Sequence, residues 1–315
     1  MEKGAILVGE PMGLFIAQEE GKLSDVSGYS MAVAGAEFNV AVGLARLNLP
    51  VTYLTRLGED PFGQKIVRTL QRNGIGSEFV SFSKERSTGF MLKSKVSTGD
   101  PKIFYFRKGS AASTLSKEDV DRMDFSGYGF VHLTGIFPAL SESTKEASFY
   151  LIKKAREHGL TVSFDPNLRP QLWPDTETMV QTLNEFAALS DYVLPGEAEG
   201  ELLCGDRDPR KIGQFYLERG AKAVVTKMGS RGAYLMTEQD QELVPGFSIE
   251  KVVDTVGAGD GFAAGILSAL MEGKNLYEAV RRANAVGAIQ VTSIGDNDGL
   301  PSRAQLAGFM GLETL

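Results

Sequence analysis

Residues 254–265 read Asp254-Thr255-Val256-Gly257-Ala258-Gly259-Asp260-Gly261-Phe262-Ala263-Ala264-Gly265. A strand-like run, Ile249–Val253, precedes this stretch, and an apolar helix follows it from Gly261. Gly257 and Gly259 allow the backbone to turn tightly, with N–H groups pointing inward at the N-terminus of that helix. Because the helix dipole favours anions at that end, the stretch predicts a phosphate-binding turn between a strand and a helix.

Asp260 lies in the same turn and is expected to face the bound anion. A carboxylate in that position can accept the proton of a hydroxyl group while the hydroxyl oxygen attacks phosphorus. Two other interpretations are a simple glycine turn with a helix-capping aspartate and a nicotinamide-binding turn. The second lacks the six-residue glycine spacing of that fingerprint, and the sequence contains no Walker A run, which excludes a P-loop kinase.

Outward from this motif, short apolar runs alternate with longer helical periods along the chain. The predicted strands are residues 5–8, 51–54, 129–133, 162–164, 192–194 and 223–226. The predicted helices are residues 38–47, 62–73, 143–158, 261–271 and 276–290. Alternation on this scale predicts an α/β fold with a parallel sheet covered by helices on both faces.

Two stretches interrupt the alternation, at about residues 11–34 and 87–108. Both are rich in Gly, Ser, Thr and Tyr, and residues 89–94 alternate in the manner of a half-buried strand. Residues 97–101 form a turn signal between two strand-like arms. We therefore expect one domain over residues 1–315, with a small β-sheet formed by these two insertions projecting from it.

Composition narrows the classes of function. The chain has 315 residues, 43% of them hydrophobic, and a formal net charge of −7, so nucleic acid is not an expected partner. Its single cysteine, Cys204, excludes an intrachain disulfide and fits a reducing compartment. The first residues lack the pattern of a signal peptide, and no apolar run is long enough to cross a bilayer. We expect a cytoplasmic protein.

The motif around Asp260 closely resembles the second signature of the ribokinase-like, phosphofructokinase-B-type sugar kinases. Their first signature is similar to residues 35–41, Gly-Ala-Glu-Phe-Asn-Val-Ala, followed by residues 56–63, Arg-Leu-Gly-Glu-Asp-Pro-Phe-Gly. The two insertions look like the β-sheet lid of this family. The resemblance covers essentially the whole chain. It implies a ribokinase-like fold, which is α/β with a doubly wound parallel sheet and a small β-sheet lid, and phosphoryl transfer from ATP to a sugar hydroxyl, with Mg²⁺.

The resemblance also implies roles for individual residues. Asp260 would be the general base, and the anion hole would be formed by Gly257, Ala258 and Gly259. The nucleotide would contact Asn167, Arg169, Lys227, Gly229, Ser230, Gly232, Gly257, Gly259 and Asn284. For Asn284, an ordinary polar residue on a helix face is an equally good interpretation. A requirement for a monovalent cation stays open, as does a homo-oligomer formed through the lid.

The acceptor is indicated by two arginines. Period-two alternation puts Tyr105 and Arg107 on one face of a lid strand, and Arg169 follows a predicted strand end. A carboxylate would pair bidentately with such a guanidinium. Residues 9–11, 105–112, 134–141 and 295–299 resemble the corresponding segments of 2-keto-3-deoxygluconate kinases. That likeness implies a sugar-acid site formed by Gly35, Asn39, Tyr105, Arg107, Arg169, Asp260 and Asp296.

Two alternatives to a sugar-acid kinase remain at this level. One is a fructokinase or another sugar kinase of the same fold, for which two arginines would be more than a neutral sugar needs. The other is a catalytically silent sugar-binding protein. The presence of both Asp260 and the glycine turn is evidence against this alternative.

The sequence differs from the family at the metal site. The family often has an Asn-x-x-Glu motif that organises magnesium-bound water. Here Gly196 stands at the asparagine position, which leaves Glu199 as the candidate metal residue.

Overall fold

The structure is a computed structural model that describes residues 3–96, 101–293 and 295–315. The strands are β1 (Gly4–Val8), β2 (Met12–Glu20), β3 (Tyr29–Ala34), β4 (Val51–Gly58), β5 (Val80–Ser83), β6 (Phe90–Lys95), β7 (Ile103–Phe106), β8 (Tyr128–Thr134), β9 (Thr161–Asp165), β10 (Tyr192–Val193), β11 (Ala223–Lys227), β12 (Gly232–Thr237) and β13 (Gln241–Pro245). The α-helices are α1 (Ala36–Arg46), α2 (Pro61–Arg72), α3 (Lys117–Asp121), α4 (Glu142–Glu157), α5 (Thr176–Ala188), α6 (Glu197–Cys204), α7 (Pro209–Leu217), α8 (Ala258–Met271), α9 (Leu276–Gln290) and α10 (Arg303–Met310).

The main sheet has nine strands in the order β13-β12-β11-β10-β9-β8-β1-β4-β5. Its strands from β5 to β11 are parallel, and β12 is antiparallel to both of its neighbours. Successive side chains of β1 enter different hydrophobic clusters, since Ala5 and Leu7 pack with α1, α8 and α9, whereas Ile6 and Val8 pack with α4, α5 and α7. Helices therefore cover both faces, which confirms the predicted doubly wound α/β fold.

A separate four-stranded sheet has the order β3-β2-β6-β7. Its strands come from the two insertions that the sequence singled out, and their pairing is antiparallel except between β2 and β6. Met12, Leu14, Ala34 and Met91 form a small buried cluster on one face of this sheet. The predicted small β-sheet is confirmed and is called the lid below, while the predicted turn at residues 97–101 falls mainly outside the described residues.

The prediction of a strand at Ile249–Val253 is wrong. This segment has no regular secondary structure and makes one backbone hydrogen bond, from Val253 N–H to the Val291 carbonyl at the end of α9. Val252 and Val253 are 56% and 43% exposed. Ile249 and Val252 line a cavity, so the apolar pattern belongs to a pocket wall and not to a buried strand.

Helix α8 begins three residues earlier than predicted, which places Asp260 inside its first turn. Within the described ranges, no helix combines the length and the apolar character needed to cross a membrane. The carboxyl ends of β9 and β11 bring Asp165 and Lys227 to the same edge of the main sheet, beneath the lid. The site lies at this edge, as is usual for open parallel sheets.

Candidate active site

A cleft of about 400 Å³ lies between the lid and the carboxyl edge of the main sheet. It is lined by every residue that the sequence proposed for the sugar acid, namely Gly35, Asn39, Tyr105, Arg107, Arg169, Asp260 and Asp296. Tyr105 belongs to β7 and Arg107 follows that strand directly, so period-two alternation brings both to the cleft. These residues come from segments up to 261 positions apart in sequence, and the fold brings them to one cavity.

Asp260 is the third residue of α8 and is only partly exposed, toward the cleft. Asn39, in the first turn of α1, donates a hydrogen bond of 2.7 Å from Nδ2 to Asp260 Oδ2. The surrounding protein removes water and raises the pKa of Asp260 to about 7, although the Asn39 hydrogen bond acts in the opposite direction. The carboxylate therefore has the affinity for a proton that a general base needs near neutral pH.

The turn before Asp260 depends on Gly257. Its φ of +79° favours glycine, and a Cβ there would lie 2.1 Å from the Asp296 carbonyl oxygen. Gln290 Nε2 donates to the carbonyls of Val256 and Gly295, at 3.3 and 2.9 Å, and so fixes the two loops against each other. The Ala258 N–H lies 3.3 Å from the Thr255 carbonyl, so this predicted anion-hole donor already has an acceptor within the turn.

The charge of Arg107 is balanced by a residue that sequence reasoning did not assign to the site. Glu10, which follows β1, is 2% exposed, and its Oε2 accepts from Arg107 Nε at 2.6 Å and Nη2 at 2.5 Å. Ser110 donates its hydroxyl to the other Glu10 oxygen. The Nε and Nη2 contacts lie on one edge of the guanidinium, and Nη1 is the nitrogen without a recorded partner among the described residues. The end edge, formed by Nη1 and the second N–H of Nη2, therefore stays available for a bidentate contact to a carboxylate without loss of the Glu10 pair.

Arg169 has a different environment. It is half-buried, lines the cleft and donates from Nη1 to the Leu168 carbonyl at 2.8 Å. Its guanidinium lowers the pKa of Asp260, against the larger effect of burial, so the two side chains interact across the cleft. Asn167, just before it, has a φ of +39°, a strained conformation for a residue with a side chain. The segment after β9 is therefore held in an unusual shape at the cleft.

Lys227 forms an ion pair that the sequence did not predict. Its Nζ lies 2.8 and 2.7 Å from the two carboxylate oxygens of Asp165, a residue that is 2% exposed. The Asp165 carboxylate also contributes to the raised pKa of Asp260, after burial. The position of Asp165 at the carboxyl end of a buried strand was the available sequence signal.

Glu199 occupies the third position of α6 and lines the same cleft. Its Oε2 accepts from the Gly196 N–H at 2.7 Å, and its Oε1 accepts from the Leu168 N–H at 3.0 Å. Each oxygen keeps a lone pair, and Mg²⁺ commonly binds through one or two carboxylates, several waters and substrate phosphates. Glu199 therefore fits a role through water, although no cluster of three acidic, histidine or cysteine ligands occurs among the described residues.

A second cavity of about 740 Å³ adjoins the first. It is lined by the predicted nucleotide residues Lys227, Gly229, Ser230, Gly232, Gly259 and Asn284. Asn284 donates from Nδ2 to the carbonyls of Val244 and Pro245, at 3.0 and 3.2 Å, so its amide nitrogen also supports the end of β13. Asn167 and Arg169 line the first cavity instead. Thr255, Gly259 and Lys227 line both cavities, so the glycine turn separates them.

Beneath the cleft lies Glu37, another residue outside the sequence-based set. It is 1% exposed, and its Oε1 accepts from Thr134 Oγ1 at 2.5 Å. Burial raises the pKa of Glu37 to about 7, against the effect of the Thr134 hydrogen bond. A Cβ on Gly9 would lie 2.3 Å from Glu37 Oε2, so the glycine after β1 makes room for this carboxyl group.

Comparison with known proteins agrees with this geometry. The profile of the pfkB family carbohydrate kinases matches residues 3–303. A 2-dehydro-3-deoxygluconokinase of Bacillus subtilis (strain 168) is 46% identical over 314 residues, which cover 99% of this chain and 97% of that protein. A PfkB protein from Polaromonas sp. JS666 has a crystal structure with a TM-score of 0.89 and 42% identity, covering 96% of this chain and 99% of that one.

A further solved structure contains ligands. A putative ribokinase II from E. coli, in complex with ATP and Mg²⁺, has a TM-score of 0.89 and 26% identity. The comparison covers 98% of this chain and 99% of the E. coli chain.

Proposed function

The chain belongs to the pfkB family of carbohydrate kinases, and from this premise we propose that it transfers a phosphoryl group from ATP to 2-dehydro-3-deoxygluconate. This sugar acid is also called 2-keto-3-deoxygluconate, and the product is its 6-phosphate. The Bacillus subtilis relative, named for this activity and 46% identical over nearly the whole chain, supports the choice of acceptor.

The observation that carries the proposal is the position of the glycine turn between the two cavities. Thr255, Gly259 and Lys227 line both of them, and Asp260 opens into the acceptor cleft. A nucleotide in the second cavity would direct its terminal phosphate at the N-terminus of α8, where backbone donors and the helix dipole favour negative charge. An acceptor hydroxyl in the first cavity would then give its proton to Asp260 as its oxygen attacks phosphorus.

The rest of the acceptor would be held by polar groups of the cleft. Arg169 would bind the carboxylate of the sugar acid, with Nη1 of Arg107 as a second donor, since the other nitrogens of Arg107 contact Glu10. Tyr105 and Asp296 would contact the sugar hydroxyls. When bound, Mg²⁺ would neutralise charge on the transferring phosphate, and Glu199 would order its water shell. Binding of a monovalent cation stays a prediction.

Three wider expectations belong to the same proposal. We place the protein in the cytoplasm, in line with its single half-buried cysteine. The chain would work as one domain over residues 1–315 with the four-stranded lid above the cleft. A homo-oligomer formed through the lid stays an untested prediction.

A coupled assay of ADP release tests the proposal. The acceptors are 2-keto-3-deoxygluconate, 2-keto-3-deoxygalactonate, fructose and ribose. A kcat/KM that is highest for a sugar acid supports the proposal, because the half-buried Arg169 would gain a carboxylate partner from the acid and none from a neutral sugar. Preference for fructose would replace it with the fructokinase alternative, and no ADP release with any acceptor would favour a silent binding protein.

A further inference from the structure

Lys93 lies on lid strand β6, and its side chain is only 4% exposed. Its ammonium nitrogen is 3.0 Å from Asp254 Oδ2 and 3.0 Å from Asp296 Oδ1. A buried ammonium group is unfavourable unless it is paired, and these carboxylates supply two partners. Lys93 comes from the lid and both aspartates come from the main domain, so this Lys93 bridge joins the two parts of the molecule.

Both aspartates belong to the loops that shape the phosphate-binding turn. Asp254 Oδ1 accepts from the Val256 N–H at 3.0 Å, immediately before Gly257. The backbone carbonyl of Asp296 packs directly against Gly257, where a Cβ would lie 2.1 Å away. The carboxylate oxygens that Lys93 contacts therefore sit on the two loops that set the position of the turn.

On the lid side, the bridge lies next to the residues that face the acceptor. Lys93 pairs with Ile103 in the register between β6 and β7, and Met91 pairs with Tyr105. Ile103, Met91 and Tyr105 all line the cleft. The site of the Lys93 ammonium thus constrains how β7 is held over the acceptor.

The charges of the bridge also matter for the turn. Burial disfavours the charged form of Lys93, but Asp296 and Asp254 outweigh it and hold the pKa of Lys93 above its ordinary value. Without this ammonium, two carboxylates would remain close together beside the site expected for a phosphate. Their repulsion would act on each other and on the anion.

We propose that Lys93 is a positioning residue for phosphoryl transfer, which ties the lid to the phosphate-binding turn through Asp254 and Asp296. The kinetic consequence rests on the function proposed above, whereas the physical tie between the lid and the turn does not.

The test compares Lys93→Met with Lys95→Met, a matched control at an exposed lysine of the same strand. In Lys93→Met we expect kcat to fall about ten- to a hundredfold, because a buried charge-assisted contact is lost, and KM for ATP to stay within about twofold. Hydrogen exchange in β6, in β7 and at residues 254–260 should become faster without any ligand. Lys95→Met should match the wild type in all of these measurements.

A second variant, Asp254→Asn, tests the same bridge in case Lys93→Met does not fold. Asp254→Asn keeps an oxygen acceptor for the Val256 N–H but removes half of the charge around Lys93, so we expect the same changes at a smaller amplitude. Exchange and kcat in a folded Lys93→Met or Asp254→Asn protein that match those of Lys95→Met would overturn the proposal. Faster lid exchange in a protein that phosphorylates no sugar would support the tie and reject the proposed function.

Discussion

The two cavities beside the glycine turn are lined by different types of residue. The acceptor cleft is lined by charged side chains, several of them in ion pairs such as Arg107 with Glu10 and Lys227 with Asp165. The cavity proposed for the nucleotide shares Lys227 with the cleft and is otherwise lined by uncharged residues, mainly glycines and apolar residues such as Phe247 and Val252. The difference suggests that the acceptor is selected by charge and hydrogen bonding, whereas the nucleotide is bound through backbone groups and shape.

This contrast also predicts in which cavity a substitution should reduce activity more. A charged group in a water-poor cleft leaves its partner unpaired when it is removed, and an unpaired buried charge is costly. A glycine loop contributes backbone donors that a substitution displaces without exposing a charge. We therefore expect the effects of mutation to decrease from Asp260, through the arginines, to the nucleotide cavity.

The largest effect is expected for Asp260→Asn. The variant keeps the shape of the side chain and a contact to Asn39 but cannot accept the proton, so kcat should fall about 10²–10⁴-fold. Binding of ATP, measured by calorimetry, should change little. Glu157→Gln, at an exposed position of α4, is the matched control. Turnover above about a tenth of wild type would remove Asp260 from the role of general base.

The next effect separates the two arginines. Arg169→Met should lower kcat/KM for 2-keto-3-deoxygluconate about ten- to a hundredfold through loss of a charge-assisted pair, with Arg210→Met at an exposed site as control. A matching fall in kcat for fructose would instead assign Arg169 to the transferring phosphate. The two acceptors must be measured side by side.

Arg107 needs a different design because of Glu10. Arg107→Met alone would leave a buried carboxylate without its partner, at a cost of about 3–5 kcal/mol in the free energy of unfolding. The double variant Glu10→Gln with Arg107→Met removes both charges, so it should be more stable than the single variant in urea unfolding. If Arg107 binds the acid, the double variant should lose kcat/KM for the acid more than for fructose. Equal losses on both acceptors would contradict that role.

A smaller effect is expected on the pH dependence of kcat/KM. The pKa of Asp260 is raised to about 7 by burial, with a smaller contribution from the Glu37 carboxylate, so kcat/KM should rise with pH through about 7. Glu37→Gln keeps an acceptor for Thr134 but removes that charge, so the midpoint of the profile should move to lower pH. A midpoint that does not move, in a folded variant, would show that the two carboxyl groups do not interact.

The same variant changes the pH dependence of stability. Because the folded-state pKa of Glu37 is raised from 4.5 to about 7, the native protein binds more protons than the unfolded chain in that window. Stability therefore decreases as pH rises through it. In Glu37→Gln this contribution is absent, so the melting temperature relative to wild type should be higher at pH 8 than at pH 5.

The smallest effect is expected in the nucleotide cavity. Asn284→Ala removes two hydrogen bonds to the carbonyls of β13 and should raise KM for ATP by less than about tenfold, with kcat nearly unchanged. Gln239→Ala, in the exposed turn between β12 and β13 and away from the cavity, is the control. A loss as large as that of Arg169→Met would mean that the two cavities do not differ in the way described above.

The sequence predicted the residues that lie within recognisable local patterns. The turn from Gly257 to Asp260 and helix α9 could be found because glycine spacing and helical period are short-range signals. The segment Ile249–Val253 was predicted wrongly because an apolar run looks the same whether it packs in a sheet or lines a pocket. Local pattern carries no information about which of the two it will be.

The partners of the site residues could not be predicted in the same way. Glu10, Glu37, Lys93 and Asp165 each contact residues far away in sequence, and the separation is 97 positions for Glu10 and Arg107. A buried carboxylate leaves no periodic mark on the sequence, since its role depends on what the fold places opposite it. The lid was predicted as β-structure, but the bridge from Lys93 to Asp254 and Asp296 emerged only from the three-dimensional arrangement.

The interior position of β1 in the main sheet has a consequence for synthesis on the ribosome. This strand is made before both of its neighbours in the sheet, since β4 and β8 follow at residues 51–58 and 128–134. One of its faces packs on α1 and belongs to a hydrophobic cluster that also contains α8 and α9, which follow only at residues 258–290. The cluster on this face is therefore completed only late in translation, and until then its apolar side chains are partly uncovered and accessible to chaperones that bind such segments.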